Sequence, residues 1–338
     1  MPSSLRVSVV LPCLNEKQKL PWVFEALLAQ DLPRDEFEVV LVDGGSVDGS
    51  VELAESMGVR VTHAPRGVSV QRNRGSVETT APVLAFLDSD CVAQTDWLSR
   101  GLRMIEDQGA VLAGGPIRAP DGSNWTARAW DIHHAVRRRR LIDDSGERFR
   151  LIATANLFIR RDVFERVGGF DESLVSGEDS VLCAEVAGLG LPVAYDERME
   201  VSHLGVPASA KAFFREQIWH SNSEVWRRLS ESTGGAVGQS ARRYGLLTIG
   251  LLALVVVGAV CSLAFNTIWP FLVAVAAYAA APVMLAARTC KQIGSVLPLV
   301  PLTGVYAIYG LARAAHQLGL ARMDYHRSVA TDEERRHS

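Results

Sequence analysis

The longest uncharged segment of the chain limits what it can fold into. Residues 244–287 form a run of 44 residues that contains no Asp, Glu, Lys or Arg. As a single helix this run would measure about 66 Å, whereas the hydrocarbon core of a bilayer is about 30 Å thick. Because Asn266 and Pro270 interrupt the run, the sequence predicts a hairpin of two membrane helices, 244–265 and 268–287. The length of the run disfavours the alternative, helices buried in a soluble core.

A third uncharged stretch, 293–312, is long enough to cross a membrane but contains Pro298 and Pro301. The sequence leaves two alternatives for it, a third crossing and a re-entrant helix. Arg288 and Lys291 follow the predicted hairpin, and the positive-inside rule places them in the cytoplasm. The same rule disfavours a third crossing, because that crossing would place the basic C-terminal tail outside.

The residues before the hairpin, 208–243, mix aromatic and basic side chains, for example Phe213, Trp219 and Arg215. Aromatic rings favour the headgroup region of a bilayer and arginines meet anionic lipid there. The pattern therefore predicts amphipathic helices that lie on the membrane surface. The alternative is an ordinary surface helix with one face in a protein core.

The first 207 residues have the pattern of an α/β domain. Candidate strands that alternate with helical patterns are 6–11, 38–42, 59–62 and 83–87. Such a series implies a mostly parallel sheet with helices on both faces and a ligand crevice at the carboxyl ends of the strands. Residues 118–150 break this rhythm and are interpreted as an insertion or a mobile lid.

The composition excludes several function classes. Residues 1–243 carry 28 Lys and Arg against 34 Asp and Glu, a net charge of −6 that argues against a nucleic-acid-binding protein. The five cysteines are odd in number and form no Cys-x-x-Cys pair, so neither a disulfide framework nor a zinc site is indicated. The N-terminus lacks the pattern of a signal peptide, and we expect the soluble part to stay in the cytosol.

Four polar motifs fall at the predicted strand ends. They are Pro-Cys-Leu-Asn-Glu at 12–16, Asp-Gly-Gly-Ser-Val-Asp-Gly at 43–49, Asp-Ser-Asp at 88–90 and Gly-Glu-Asp at 177–179. Carboxylates spaced i, i+2 on an extended segment point to the same side, which suits a divalent cation with oxygen ligands. By itself an Asp-x-Asp pair is a weak signal, because most such pairs are solvated turn residues.

Taken together and in order, these motifs resemble those of the inverting glycosyltransferases of family 2, which have the GT-A fold. The resemblance covers residues 5 to about 230, and its landmarks lie at 7–16, 42–49, 67–75, 88–90 and 156–179. The Asp-Gly-Gly-Ser form and the apolar C-terminal spans resemble most the bacterial exopolysaccharide enzymes of the succinoglycan-biosynthesis type.

The resemblance implies roles for individual residues. The donor, a nucleotide diphosphate sugar, would be held by Pro12, Glu16, Asp43, Arg72, Asp88 and Ser89. A Mg²⁺ or Mn²⁺ ion would bind Asp88 and Asp90, and His203 would be either a third ligand or a structural residue. Asp179 would be the catalytic base with Glu178 beside it; the alternative is that both acids complement the dipole of a helix N-terminus.

The sequence therefore predicts a membrane-anchored, metal-dependent glycosyltransferase at the cytosolic face of the inner membrane. It would transfer one sugar to a polyprenyl-diphosphate-linked saccharide, with membrane lipids as further partners and no nucleic acid. The predicted domains are a GT-A catalytic domain at 1–207, interfacial helices at 208–243, a transmembrane region at 244–315 and a polar tail at 316–338. Homo-oligomerisation is left open.

Two other functions fit parts of the sequence. A processive polysaccharide synthase would carry Gln-x-x-Arg-Trp after the base, whereas residues 217–220 are Gln-Ile-Trp-His. A non-catalytic scaffold of an export complex that binds sugar nucleotides would have no use for Asp88, Asp90 and Asp179 together. Leu14 stands where the family usually has an aromatic residue over the base, which leaves the nucleotide open.

Overall fold

The computed structural model describes residues 5–143, 152–174, 176–220 and 239–320. The described chain divides into two compact units. The first is built mainly from residues 5–122 and 152–206, and the second from 123–137, 207–220 and 239–320.

The first unit is an α/β domain around a seven-stranded sheet. The strands of this unit are β1 (Val7–Cys13), β2 (Phe37–Asp43), β3 (Arg60–His63), β4 (Val83–Leu87), β5 (Cys91–Ala93), β6 (Leu112–Gly114), β7 (Ile117–Arg118), β8 (Asn156–Arg160), β9 (Val193–Tyr195) and β10 (Val201–His203). The large sheet has the order β3-β2-β1-β4-β8-β6-β9, and four of its six pairings are parallel. The four predicted strands are confirmed within two residues at each boundary.

Helices cover both faces of this sheet. They are α1 (Leu20–Leu28), α2 (Ser50–Ser56), α3 (Val68–Val77), α4 (Trp97–Leu102), which a π-helical turn (Arg103–Asp107) extends, α6 (Arg161–Arg166) and α7 (Glu178–Gly188). Residues of β1 alternate between two buried clusters: Val9 packs in the cluster that contains Phe24 of α1, and Val10 packs in the cluster that contains Leu182 of α7. This alternation is what period-2 side chains on a doubly covered strand require.

Gly75 of α3 allows a close approach between that helix and the sheet. A Cβ at this position would overlap Val10 and would lie 3.0 Å from Val42. The glycine therefore sets the distance of α3 from β1 and β2. This distance also determines where the buried side chains of α3 lie relative to the carboxyl edge of the sheet.

The second unit is helical. It contains the first part of α5 (Trp125–Asp143), then α8 (Ala210–Trp219), α9 (Gln239–Ala264), α10 (Trp269–Ile293) and α11 (Leu299–Gln317). Of the described helices, two are long and apolar enough to cross a membrane: residues 242–264 with a mean hydropathy of 2.7 and residues 269–293 with 1.9. Asn266, with φ of 45°, lies in the turn between them, where the sequence predicts the hairpin to reverse.

The structure adds detail to two predictions about the chain's organisation. The segment 118–150, interpreted as an insertion or a mobile lid, contains α5 over most of its length; the Asn124 side chain caps this helix by accepting from the backbone N–H groups of Thr126 and Ala127. The sequence did not predict this helix, because its buried apolar residues, Ala127, Ala129 and Val136, do not recur at a regular helical spacing. Residues 144–151 lie outside the described chain.

The prolines do not break the third apolar stretch. Pro298 precedes α11 and Pro301 lies in its first turn, where a missing backbone N–H costs nothing, so one continuous helix follows. Of the predicted interfacial segment, Ala210–Trp219 is helical and is capped by Ser209, whose side chain accepts from Ala212 N. Residues 221–238 of that segment lie outside the described chain.

Candidate active site

The loops after β1 and β2 are joined by side-chain hydrogen bonds at the carboxyl edge of the sheet. Asn15, with φ of 56°, accepts from Val47 N, and its own N–H donates to Ser46 Oγ at 2.9 Å. Asp43 is buried, and its carboxylate accepts from the backbone N–H groups of Gly45 and Ser46 at 2.9 and 3.0 Å. These hydrogen bonds show that Asp43 stabilises the conformation of the loop that follows β2. Its contact with a nucleotide stays a prediction, as does that of Pro12, which is buried within β1.

Gln71, on α3, links the carboxyl ends of the same two strands, β1 and β2, by hydrogen bonds. Its buried amide donates to Cys13 O at 2.8 Å and to Val42 O at 2.7 Å. A Cβ on Gly44 would lie 3.0 Å from the Gln71 amide. The side chain of Gln71 therefore fills the space that a side chain at position 44 would need, which accounts for the glycine immediately after Asp43.

This packing predicts the outcome of a double-mutant cycle. Gly44→Ala should weaken nucleotide binding by about tenfold, because the new methyl group must displace the Gln71 amide and the Asp43 loop with it. Gln71→Ala, Gly44→Ala should recover part of that loss, since the double variant removes the clash. Calorimetric titration with a nucleoside diphosphate measures both. Additive losses would show that the two positions are independent.

Arg72 joins two acidic motifs that are far apart in sequence. Its guanidinium is 1% exposed, and it donates to Asp88 Oδ1 at 2.5 Å and to Glu178 Oε1 at 2.7 Å. Burial disfavours the charged form, but the two carboxylates outweigh this cost and raise the pKa of Arg72. The side chain of Arg72 is therefore a positioning element that ties the Asp-Ser-Asp loop to the start of α7.

Asp179 has a different environment from its neighbour Glu178. Glu178 is buried, bound to Arg72 and close to the Thr154 hydroxyl. Asp179 is half-buried and accepts from Ser180 N at 2.6 Å. Burial, followed by repulsion from the Glu178 carboxylate, raises the pKa of Asp179 to about 6. A partly accessible carboxylate with a raised pKa is suited to accept a proton near neutral pH, whereas Glu178 is suited to hold Arg72.

Asp90 and His203 meet because β5 pairs with β10. The antiparallel register places Cys91 opposite His203, and Leu204 N donates to Asp90 O at 2.8 Å. His203 Nε2 then lies 3.2 Å from Asp90 Oδ2. A Cβ on Gly205 would overlap the same Asp90 oxygen, so the glycine keeps that face of the carboxylate clear.

The chemistry of this pair fits a divalent cation. The potential ligand atoms of Asp90, Cys91 and His203 all lie within 4.8 Å of one another. Burial raises the pKa of the Cys91 thiol well above its usual range. Mg²⁺ and Mn²⁺ prefer carboxylate oxygen and imidazole nitrogen to sulfur, so Asp90 and His203 are the ligands of this cluster that suit them best. Oxygen ligands suit Mg²⁺ and Mn²⁺, and imidazole adds to the affinity for Mn²⁺. Asp88 lies outside this cluster, and its Oδ1 is bound by Arg72; its role as a second carboxylate ligand of the ion stays a prediction.

Lys19 is a site residue that sequence reasoning missed. Its ammonium lies 2.6 Å from Glu16 Oε2 and 3.7 Å from Asp90 Oδ2, so it links the predicted donor-binding Glu16 to the predicted metal ligand. The i, i+3 spacing from Glu16 to Lys19 on the way into α1 was the only signal for this contact in the sequence. Gln71 and Cys91 were also missed, since neither belongs to a motif of acidic residues.

The predicted residues thus fall into connected groups. Arg72 joins Asp88 to Glu178, and Lys19 joins Glu16 to Asp90. Ser89 is buried in the tight turn that Cys91 N closes on Asp88 O. Their roles in binding and catalysis stay predictions.

The mixed sheet covered by helices on both faces, with acidic loops at its carboxyl edge, has the architecture of the GT-A fold of glycosyltransferases. A solved structure with this fold is a mannosyltransferase from Pyrobaculum calidifontis in complex with GDP-Man and Mn²⁺, which is similar to this chain with a TM-score of 0.57 over 94% of this chain and 88% of that one. At 17% sequence identity this similarity shows the fold alone.

Sequence comparison finds a family match over part of the chain. Residues 8–168 match glycosyl transferase family 2. Among similar proteins are the glycosyltransferase AglE of Haloferax volcanii, 32% identical over 56% of this chain, and the succinoglycan biosynthesis protein ExoM of Rhizobium meliloti, 27% identical over 66%. The matches cover 64% of AglE and 75% of ExoM, so less than two thirds of the archaeal relative is represented.

Proposed function

We propose that this protein transfers one sugar, with inversion, from a nucleotide diphosphate sugar to a lipid-linked saccharide at the cytosolic face of the inner membrane. The observation that carries the proposal is the arrangement around Arg72, which holds the Asp-Ser-Asp loop next to Asp179. A donor at the loop and an acceptor at Asp179 would then meet at one place. The resemblance to exopolysaccharide enzymes and the similarity to ExoM support a cell-surface glycan as the product.

The chain's own residues account for the reaction as follows. Asp90 and His203 would hold a Mg²⁺ or Mn²⁺ ion, in keeping with the Mn²⁺ complex of the structurally similar mannosyltransferase. When bound, this ion would supply positive charge that stabilises the diphosphate as it leaves. Asp88, Ser89 and Glu16 remain the proposed donor contacts on the same loops.

Asp179 would act on the acceptor. Its carboxylate takes the proton of the attacking hydroxyl as that oxygen forms a bond to the anomeric carbon and the bond to the diphosphate breaks. A single displacement of this kind inverts the anomeric configuration. Glu178 contributes by keeping Arg72 in place, so its role is positional.

The helical unit supports a lipid-linked acceptor. α9 and α10 carry exposed Leu and Val side chains along their length, which a bilayer would cover. We propose that they form a membrane-crossing hairpin, with residues 1–207 as the catalytic domain and α8 at the cytosolic surface. An enzyme with such an anchor works at a membrane surface, where polyprenyl-linked saccharides are found.

A nucleotide-release assay with the purified protein tests the enzymatic proposal against a binding scaffold. We expect release of a nucleoside diphosphate that requires both the correct donor and a lipid acceptor. Binding of the donor without release, over a panel of acceptors, would favour the scaffold. Products that carry several added sugars from one encounter would favour a processive synthase.

A further inference from the structure

α11 follows the hairpin, and both of its ends lie at the same end of that hairpin. α9 and α10 are antiparallel: Gly258 lies against Ala274 near the connecting turn, and Thr248 and Pro282 line one small cavity farther from it. The start of α9 and the end of α10 are therefore neighbours. We call this end, residues 242–248 and 286–293, the hairpin base.

The first half of α11 packs on the hairpin base. Leu302 and Val305 belong to one buried cluster with Ala286 and Cys290 at the end of α10. The Tyr306 hydroxyl lies 2.8 Å from the Thr289 hydroxyl. Five residues, 294–298, connect α10 to α11, so this contact is what a short connection allows.

The second half of α11 also packs on the hairpin base, on the side of α9. A Cβ on Gly310 would lie 2.7 Å from the Thr248 hydroxyl, which shows that the two helices touch there. The Tyr244 hydroxyl donates to Tyr306 O at 3.2 Å, and Gln317 Nε2 at the end of α11 donates to Arg242 O at 3.1 Å. The last residue of α11 is therefore held at the first turn of α9.

These contacts exclude a crossing for a helix of this length. α11 has 19 residues and measures about 28 Å, so in a crossing helix Gln317 would lie near the opposite face of the bilayer. We infer that α11 does not cross the membrane but lies along the surface of an anionic bilayer, bridging the two helices at the hairpin base. This inference rests on the proposed membrane hairpin.

Charge supports a position at the headgroups. Arg313 is buried, donates to His220 O at 3.0 Å and stacks on Tyr309. In a crossing helix this arginine would lie about 21 Å from the start of α11, still inside a hydrocarbon core about 30 Å thick, where a charged side chain is costly. A helix in the membrane plane leaves Arg313 at the level of the lipid phosphates.

The surroundings of α11 match anionic lipid. Basic side chains on α8 and at the hairpin base are Lys211, Arg215, Arg242, Arg243, Arg288 and Lys291, whereas Glu216 is the one acidic side chain in the described residues 207–220, 242–248 and 286–293. Val296, Leu297 and Val300, at the start of α11, are 76%, 90% and 80% exposed. Basic side chains beside exposed apolar ones are typical of a helix that lies at the boundary between headgroups and acyl chains.

Depth measurements along the exposed side of α11 test the inference. Val300, Leu311 and Leu318 are exposed on this helix. Each is replaced by cysteine in the full-length protein, labelled with a spin label and reconstituted in anionic bilayers. We expect the three labels to lie at the same shallow depth. If α11 crosses, the depth of the label should instead change steadily along the helix, and the labels at positions 300 and 318 should differ in depth by about 27 Å. That result would overturn the inference.

A control position separates this inference from the proposed function. Leu254, exposed in the middle of α9, should lie near the bilayer centre if the hairpin crosses. A deep label at 254 with equal shallow labels on α11 supports both proposals. A deep label at 254 with a graded series on α11 overturns only the inference, and a shallow label at 254 overturns the hairpin itself.

Discussion

Asp179→Asn is expected to lower turnover by about 10² to 10⁴-fold while the affinity for the donor changes by no more than a few fold. A general base acts in the chemical step, and its loss leaves donor binding intact. Turnover is measured with a lipid-linked acceptor and donor affinity by calorimetry. Glu185→Gln is the matched control, because Glu185 lies on the exposed side of the same helix, and it should leave turnover unchanged.

The pKa of Asp179 provides a second readout for the same residue. Because this pKa is raised to about 6, the carboxylate is protonated at lower pH, and kcat/KM should fall about tenfold per pH unit below pH 6. The folded state holds Asp179 at a higher pKa than the unfolded chain, so its ionisation costs stability as the pH rises from about 4 to about 6, and the full cost remains at pH 8. Asp179→Asn should therefore unfold at the same or a higher temperature at pH 8. Near-normal turnover in this variant would mean that another group is the base.

Asp90→Asn is expected to lower kcat/KM by about 10² to 10³-fold and to weaken divalent-cation binding at the same time. The substitution would remove the negative carboxylate beside His203 that would hold the cation. Less of the cation's positive charge would then be available to stabilise the departing diphosphate. Binding of Mn²⁺ in the presence of a nucleoside diphosphate, followed by paramagnetic resonance, gives a readout that does not depend on turnover. His203→Ala should raise the Mn²⁺ concentration for half-maximal binding.

Asp96→Asn is the matched control for this prediction. Asp90 lies just before β5, and Asp96 lies just after it. The Asp96 carboxylate pairs with Arg100 on α4. The change should alter neither Mn²⁺ binding nor turnover. Full activity of the wild-type protein in excess chelator, or an unchanged Mn²⁺ titration in Asp90→Asn, would contradict the assigned metal site.

The sequence predicted the elements whose structure depends on neighbouring residues, namely three strands of the sheet and the hairpin turn. The strands β1, β2 and β4 have apolar runs of the right length, and the polar motifs that end them meet because parallel strands share a carboxyl edge. The hairpin turn at Asn266 was predictable because an uncharged run of this length must reverse.

The sequence could not reveal contacts that depend on packing between distant residues. Arg72 and Glu178 are 106 positions apart, and their ion pair exists only because α3 and α7 lie on the same face of the sheet. The different partners of Asp88 and Asp90 have the same origin, since β5 turns one carboxylate toward His203 while Arg72 holds the other. The i, i+2 spacing predicted a shared direction but contained no information about these neighbours.

The most direct test of the proposed reaction is transfer of label from radiolabelled nucleotide sugars to a membrane lipid extract. With the wild-type protein and Mn²⁺, we predict that one donor gives label in the organic phase, with one sugar added per acceptor. This transfer should disappear in excess chelator and in Asp179→Asn. Transfer that persists under both conditions, or donor binding without transfer from any nucleotide sugar, would contradict the account.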